Sequence, residues 1–114
     1  SVSSPDILVV MNKPSFDKFE PKTAPGGTIF CDSTLIDKKS ERNDIKAVYI
    51  PATELAEEND LKGFANVIIL GNILKETGIF TYEDFEHYLV SSIPETKSAL
   101  IEKNKKALSI GYNY

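Results

Sequence analysis

The chain has 114 residues, 41% of them hydrophobic, which indicates one small domain with a modest core over residues 1–114. Thirteen basic residues stand against seventeen acidic ones, for a net charge of −4 and without a basic stripe, so nucleic acid is excluded as an expected partner. One cysteine, Cys31, rules out an internal disulfide, and the lack of a signal peptide or a long apolar run predicts a cytoplasmic protein without membrane contact.

The first elements predict half of an α/β domain. Ile7 to Met11 is an unbroken apolar run, which is typical of a strand covered on both faces. Asn12 ends this run, and Pro14 suits the first position of a helix, where a missing N–H costs nothing. The apolar face of that short helix contains Phe16 and Phe19.

Two further strands are predicted before the middle of the chain. Pro25 to Gly27 predicts a turn, and Thr28 to Cys31 a second strand. If both strands belong to one sheet, they should be parallel and joined by a right-handed crossover. The charged segment from Asp37 to Asp44 indicates a solvated loop. Ile45 to Ile50 predicts a third strand, and Lys46 places that strand near an edge.

The second half of the chain is predicted to be helical. Thr53 is a candidate cap for the first helix there, and Thr81 with Asp84 resembles a capping box for the third. The predicted helices are Ala52–Asn59, Leu61–Thr77, Tyr82–Ser92 and Glu95–Ile110. The whole pattern indicates an α/β fold, a three-layer sandwich with a mainly parallel sheet and a helical C-terminal half.

The helix from Leu61 to Thr77 is apolar around most of its circumference, so we expect it to be buried. Gly71 in its middle costs roughly 1 kcal/mol relative to alanine, and the usual reason to tolerate this is the close approach of another backbone. Asn66 and Asn72 on this helix and Asn104 on the last one are candidates either for core hydrogen bonds, which we favour, or for ligand contacts.

Polar residues at the strand ends are the other candidate site. Asn12 and Lys13 follow the first strand, and Asp32, Ser33 and Thr34 end or follow the second. Open α/β sheets bind ligands outside the carboxyl ends of their strands, so these residues are candidates for one cleft that takes an anionic oxygen. The interpretation that we favour is that Asn12 caps the helix and that Asp32 and Ser33 form a turn.

A self-contained catalytic centre is not indicated. The sequence has one histidine, one cysteine, no Walker loop and no GxGxxG motif. His87 is predicted to be an ordinary helix histidine because no partner ligand accompanies it, and Cys31 a small buried hydrophobic residue. The sequence therefore argues against a self-contained enzyme.

Four blocks, in this order and at these separations, carry a resemblance: PDILVVMNKPSFDKF, PGGTIFCDSTLI, IPATELAEE and FANVIILGNILKETG. Together they resemble the C-terminal part of the gamma subunit, or gamma domain, of the 2-oxoacid:ferredoxin (acceptor) oxidoreductases. The resemblance extends from Ser4 to Tyr112 and implies an oxygen-sensitive, multisubunit enzyme that oxidatively decarboxylates pyruvate or a similar 2-oxoacid to acyl-CoA.

The resemblance also implies the cofactors and partners of that complex. Thiamine diphosphate, magnesium, coenzyme A and iron–sulfur clusters belong to the complex, and none is assigned to this chain itself. Alpha, beta and delta-type subunits are the implied partners, with ferredoxin or flavodoxin as electron acceptor. By the same resemblance, Asn12, Ser33, Asn66 and Asn72 are nominated as contacts to a neighbouring subunit or to coenzyme A.

One departure from the family pattern stands at the start of the chain. Gamma subunits begin with a strand, a GGQG-type glycine-rich turn and a Ser- and Arg-rich region, which do not precede Ser1. The chain is expected to be either a C-terminal fragment of a longer gene product or a shortened relative, and we favour the fragment because Ser1 to Ser4 lead almost directly into a strand. Such a fragment should expose an apolar surface and self-associate. The alternatives are a flavodoxin-like or Rossmann-like nucleotide- or cofactor-binding module, which would need a phosphate-binding glycine loop, and a scaffold or dimerisation domain.

Overall fold

The computed structural model describes residues 7–114, and the chain divides into two compact units, residues 1–51 and 52–114. The expectation that Ser1 to Ser4 lead directly into a strand falls outside the described residues. That the whole chain forms one domain stays a prediction.

The first unit contains a parallel three-stranded sheet. The strands are β1 (Ile7–Val10), β2 (Thr28–Asp32) and β3 (Lys46–Ile50), in the order β1-β2-β3, and both pairs are parallel. Helix α1 (Lys13–Phe19) connects β1 to β2 and is followed by a short 3₁₀ turn, Glu20–Lys22. The three predicted strands and their parallel pairing are confirmed, and with them the α/β fold class.

One face of this sheet carries the core of the first unit. Phe16 of α1 is 1% exposed and belongs to the same buried cluster as Cys31 of β2. The other buried members are Val10, Ile29 and Ile36, and partly buried Leu8, Ile45, Ala47 and Tyr49 pack against them. Alternate residues of each strand therefore meet the apolar side of α1, as the period of two in a strand requires.

Strand β1 is not covered on both faces, so that prediction is wrong. Ile7 and Val9 are 40% and 43% exposed, because successive side chains alternate across a strand and these two lie on the face opposite Val10. Burial on both faces belongs to β2, where Ile29 and Phe30 are both 0% exposed. That the chain self-associates stays a prediction.

The turn before β2 has the predicted form. Gly26 has φ +85°, in the left-handed region that glycine adopts without strain, and the Gly27 N–H donates to the Ala24 carbonyl at 2.8 Å. Pro25 ahead of a glycine with positive φ is the pattern of a type II turn.

Arg42 holds the charged loop after β2 in place within the first unit. Its Nη1 donates to the carbonyl oxygens of Glu20 and Thr23, each at 2.9 Å, and its Nε and Nη2 donate to the two carboxylate oxygens of Asp44 at 2.8 and 2.7 Å. This hydrogen bonding by Arg42 lowers the pKa of Asp44. The loop is therefore held in place by a planar fork of donors that only arginine supplies.

Arg42→Lys should open this loop while leaving the sheet in place. Lysine has one ammonium group and cannot reach two backbone carbonyls and a bidentate carboxylate at once. We expect limited proteolysis within residues 37–44 to become severalfold faster, measured as the rate at which the first cut appears in the native chain. Glu41→Gln, an exposed neighbour in the same loop, is the control, and equal cleavage rates for the two variants would contradict the role given to Arg42.

The second unit is helical, with several boundaries that differ from prediction. Helix α3 begins at Ala65 and not at Leu61, because Gly63 has a φ of 93°, outside the helical range. The predicted helix Glu95–Ile110 is interrupted at Lys97, where φ is −119°. Thr53 is the second residue of the first helix in this unit and not its cap. The helices are α2 (Ala52–Glu58), α3 (Ala65–Thr77), α4 (Tyr82–Ser91) and α5 (Ile101–Tyr112), with a 3₁₀ segment over Glu95–Leu100.

Two predicted helix ends are confirmed. Gly78 follows α3 with φ 61° and donates its N–H to the Leu74 carbonyl at 3.0 Å. Thr81 caps α4, since its hydroxyl accepts the Asp84 N–H at 3.1 Å. The segment between these two caps is only a few residues long, which fixes where α4 begins after α3.

Helices α3 and α5 cross at a pair of glycines. A Cβ on Gly71 would lie 2.9 Å from the Tyr112 nitrogen and closer still to the Leu108 carbonyl oxygen. A Cβ on Gly111 would lie 3.0 Å from the Asn72 nitrogen and closer still to the Ile68 carbonyl oxygen. The predicted close approach of a backbone to Gly71 is confirmed, and Gly111 is its counterpart on the other helix.

Candidate functional site

The carboxyl ends of the three parallel strands form one edge of the sheet. Asn12 follows β1, Ser33 follows β2, and Pro51 follows β3, so the two nominated residues stand at the ends of adjacent strands. This is the edge at which open α/β sheets bind ligands. The placement of Asn12 and Ser33 there agrees with the prediction.

Asn12 acts as the cap of α1. Its φ and ψ are −147° and 161°, and its Oδ1 accepts the Ser15 N–H at 2.9 Å. Pro14 is the second residue of α1, one position later than predicted. The capping interpretation of Asn12 is therefore confirmed, and a helix of seven residues offers little dipole for an anion.

Asp32 organises the loop after β2. Its side chain is 0% exposed, and its Oδ1 accepts the Thr34 N–H at 3.1 Å, while its carbonyl accepts the N–H groups of Leu35 and Ile36. Ser33 donates its N–H to the Ile50 carbonyl at 2.9 Å, which extends the pairing of β2 with β3. The turn interpretation is confirmed. An acidic residue at the end of an apolar strand was the sequence feature that could have indicated Asp32 as the residue that holds this turn.

The two nominated asparagines of α3 differ in exposure. Asn66 is exposed, in contrast to its expected place on a buried helix, and its Oδ1 accepts the Val67 N–H at 2.9 Å. Asn72 is 4% exposed, and its Nδ2 donates to the Gly111 carbonyl at 3.4 Å, across the α3–α5 crossing. Its Oδ1 has no hydrogen-bond partner in the part of the chain that the structure describes. Asn72 thus serves the helix crossing, which agrees with the favoured interpretation of a core amide.

One cysteine does not fit an iron–sulfur cluster, and the described part of the chain does not fit a metal ion. Such clusters are held by several cysteine thiolates, whereas Cys31 is the one cysteine of the sequence, is 0% exposed, and has a pKa raised by burial to about 11. Within residues 7–114 there is no group of three or more His, Cys, Asp or Glu side chains that could hold a metal ion.

Cys31 should be unreactive toward a thiol reagent such as DTNB in the folded chain at about pH 8, because the thiolate is the reactive form and burial disfavours it. Unfolding in urea should release one equivalent of reactive thiol. Since the pKa is raised from 9.0 to about 11, the stability that Cys31 contributes is present below pH 9.0 and is lost as the pH rises toward 11. Free glutathione in the same buffer is the control, and rapid labelling of the folded chain would contradict the assignment.

The geometry offers no support for a nucleotide-binding module. A dinucleotide or phosphate loop lies between a strand and a helix and is rich in glycine. The β1–α1 connection consists of Met11 and Asn12, and Gly26 and Gly27 precede a strand instead.

None of the helices described over residues 7–114 combines the length and the apolar character needed to cross a bilayer.

The fold defines an α/β protein with a parallel sheet, and comparison with known proteins identifies its family. The pyruvate ferredoxin/flavodoxin oxidoreductase family matches residues 1–114, so the chain belongs to that family, and the resemblance carried by the four sequence blocks is confirmed.

Two relatives show the family membership at the level of sequence. The chain is 34% identical over 113 residues to the 2-oxoglutarate synthase subunit KorC of Methanocaldococcus jannaschii, an alignment that covers 97% of this chain and 59% of that protein. It is 29% identical to the ketoisovalerate oxidoreductase subunit VorA of Methanothermobacter marburgensis, over 100% of this chain and 24% of that protein. The chain therefore spans less than two thirds of the length of either relative.

Solved structures agree with this assignment. The keto/oxoacid ferredoxin oxidoreductase gamma subunit of Geobacter sulfurreducens superposes with a TM-score of 0.82 at 26% identity, covering 95% of this chain and 62% of that one. The 2-oxoglutarate:ferredoxin oxidoreductase of Magnetococcus marinus, solved with 2-oxoglutarate, coenzyme A and succinyl-CoA bound, superposes with a TM-score of 0.79 at 18% identity, over 95% of this chain and 19% of that one. The second likeness concerns the fold alone.

Proposed function

We propose that this chain is part of the accessory gamma subunit of a 2-oxoacid:ferredoxin oxidoreductase, which oxidatively decarboxylates pyruvate or a similar 2-oxoacid to acyl-CoA and reduces ferredoxin. The observation that carries the proposal is the match of residues 1–114 to the oxidoreductase family, joined with relatives that are themselves named subunits of such enzymes. The complex works in the cytoplasm.

The chain acts without a catalytic centre of its own. Thiamine diphosphate, magnesium, coenzyme A and the iron–sulfur clusters are bound by the complex, whose other parts are alpha, beta and delta-type subunits, and ferredoxin or flavodoxin accepts the electrons. The burial of the one cysteine supports this division of labour, because Cys31 is not available as a cluster ligand.

The nominated residues then have contact roles. Asn12 and Ser33, at the carboxyl edge of the sheet, and the exposed Asn66 are proposed to contact a neighbouring subunit or coenzyme A. Asn72 is proposed to act indirectly, since it is buried at the α3–α5 crossing and holds the two helices together.

The test is anaerobic affinity purification of the full-length gene product from its native cells, followed by mass spectrometry and an absorbance spectrum of the eluate. The proposal expects larger thiamine-diphosphate-binding subunits to co-elute in fixed stoichiometry, with a brown iron–sulfur absorbance and 2-oxoacid-dependent reduction of ferredoxin. A chain that elutes alone and colourless would refute it.

A further inference from the structure

An exposed apolar surface lies where α3 passes into α4. We call it the apolar patch, and it consists of Ile79, Phe80, Phe85 and Tyr88. Ile79, Phe80 and Tyr88 are 59%, 58% and 66% exposed. The rings form a continuous row, with centroids 6.1 Å apart between Phe80 and Phe85 and 6.0 Å apart between Phe85 and Tyr88. Exposed aromatic residues gathered in this way are typical of a protein-binding surface.

Two adjoining cavities open onto the apolar patch, and both are bordered by Phe80 and Phe85. The smaller has a volume of about 170 Å³, and the larger has a volume of about 550 Å³. The smaller cavity is also lined by Leu70, Ile73, Leu74, Thr77 and Ile79, and the larger by Asp84 and Tyr88. The arrangement can receive two neighbouring apolar side chains, one in each cavity.

The charged residue that lines the cavities of the apolar patch is acidic. It is Asp84, and the sequence has no lysine or arginine between Lys75 and Lys97. The Lys75 ammonium lies 5.1 Å from the centre of the Tyr112 ring, and Tyr112 lines neither cavity. An anionic ligand such as the phosphates of coenzyme A is therefore repelled, and a second copy would bring like charges together.

We propose that the apolar patch docks a segment of another subunit of the complex that presents two apolar side chains and an arginine. Asp84 and Tyr88 line the same cavity, so a guanidinium placed there meets a carboxylate and the face of an aromatic ring. The commitment to another subunit rests on the proposed function.

The first test replaces Tyr88 with the photoreactive p-benzoyl-phenylalanine in the full-length gene product, in its native cells, and maps the cross-linked peptide after anaerobic purification. The expected product joins position 88 to a peptide of another subunit that contains arginine beside apolar residues. A cross-link to a second copy, to another part of the same polypeptide or to a peptide without a basic residue would overturn the proposal, and so would the absence of any cross-link.

The second test compares two charge reversals on adjacent residues of α4. Asp84→Arg and Glu83→Arg each remove one acidic residue from the first turn of the helix, so their effects on the helix itself are matched. Glu83, however, lines a different cavity, together with Tyr82, Ser109 and Tyr112. The pair therefore separates the docking role of Asp84 from a general effect of charge on α4.

Asp84→Arg should raise the dissociation constant of this subunit from the purified complex by at least about tenfold, measured by mass photometry over a dilution series. Glu83→Arg should leave it within about twofold, since an exposed charge away from an interface contributes little. Equal weakening of the complex by both variants, or weakening by neither, would overturn the docking proposal. In that case the proposed function still stands, provided that the wild-type complex purifies intact. Failure of the wild-type chain to bring down any other subunit would refute the proposed function itself.

Discussion

Gly71→Ala should lower the free energy of unfolding of this chain by about 3 kcal/mol, near the upper end of the usual cost of overpacking. The added methyl group meets backbone atoms of α5, 2.9 Å from the Tyr112 nitrogen and nearer to the Leu108 carbonyl oxygen. Backbone atoms cannot turn aside as a flexible side chain can, so the two helices must separate. The loss outweighs the roughly 1 kcal/mol that alanine gains over glycine within a helix, and urea unfolding followed by circular dichroism measures it.

Gly111→Ala should have a similar effect, because its methyl group meets the same crossing from the other side, 3.0 Å from the Asn72 nitrogen. Once one methyl group has moved the helices apart, the second has room, so the double variant should lose clearly less than the sum of the two single losses. Gly78→Ala is the control: nothing lies within 4 Å of its Cβ, and only its φ of +61° opposes alanine, at a cost of about 1 kcal/mol. Strict additivity of the two crossing variants would contradict a shared contact.

The contrast between these two glycines shows what the sequence can predict. Gly71 stands in the middle of an apolar helix, where a glycine is costly, and that cost indicated a neighbouring backbone before the structure placed α5 there. Gly111 lies one residue from the end of α5, where a glycine is ordinary, so it gave no such signal. The partner of a close approach depends on which helices pack together, and this is information from the tertiary structure.

Helix boundaries failed where a backbone angle, and not a residue type, decided them. The start of α3 was predicted too early because Gly63, inside the predicted range, takes a φ of 93°, whereas Gly71 in the same range stays helical, so the residue type alone did not decide the boundary. Lys97 interrupts the last helix with φ −119°, although lysine is a good helix former. The strands were predicted well because they are apolar runs and because a proline–glycine turn marks where β2 begins. Which face of a strand becomes buried could not be predicted in the same way, because it depends on what packs on the sheet.

The candidate site was predictable in location and less so in role. Parallel strands place their carboxyl ends together, so Asn12 and Ser33 were correctly expected at one edge of the sheet. The hydrogen bonds there show that Asn12 caps α1 and that Asp32 holds the following loop. Those bonds depend on rotamers and local backbone geometry, which a sequence motif does not specify.

Phe16→Ala should destabilise the first unit by about 3–5 kcal/mol, since it removes a fully buried aromatic ring from a close-packed cluster. Phe16 is 1% exposed and is the one residue of α1 in the cluster that contains Cys31 and Val10. The substitution would leave a cavity between α1 and the sheet. Water could then reach the hydrogen bonds between the strands.

Phe19→Ala is the matched control, because the same change is made three residues later on the same helix, at a side chain that is 36% exposed. Phe19 lies under the ammonium groups of Lys18 and Lys22, at 5.3 and 5.8 Å from its ring centre, and such exposed cation–π contacts are worth about 1 kcal/mol or less. The two variants should therefore differ by about 2 kcal/mol or more in urea unfolding. The DTNB reaction of Cys31 reports on the same cluster: it should accelerate in Phe16→Ala and stay slow in Phe19→Ala, because only the first variant opens the space around the buried thiol. Equal losses of stability with equal thiol reactivity would mean that α1 does not seal this face of the sheet.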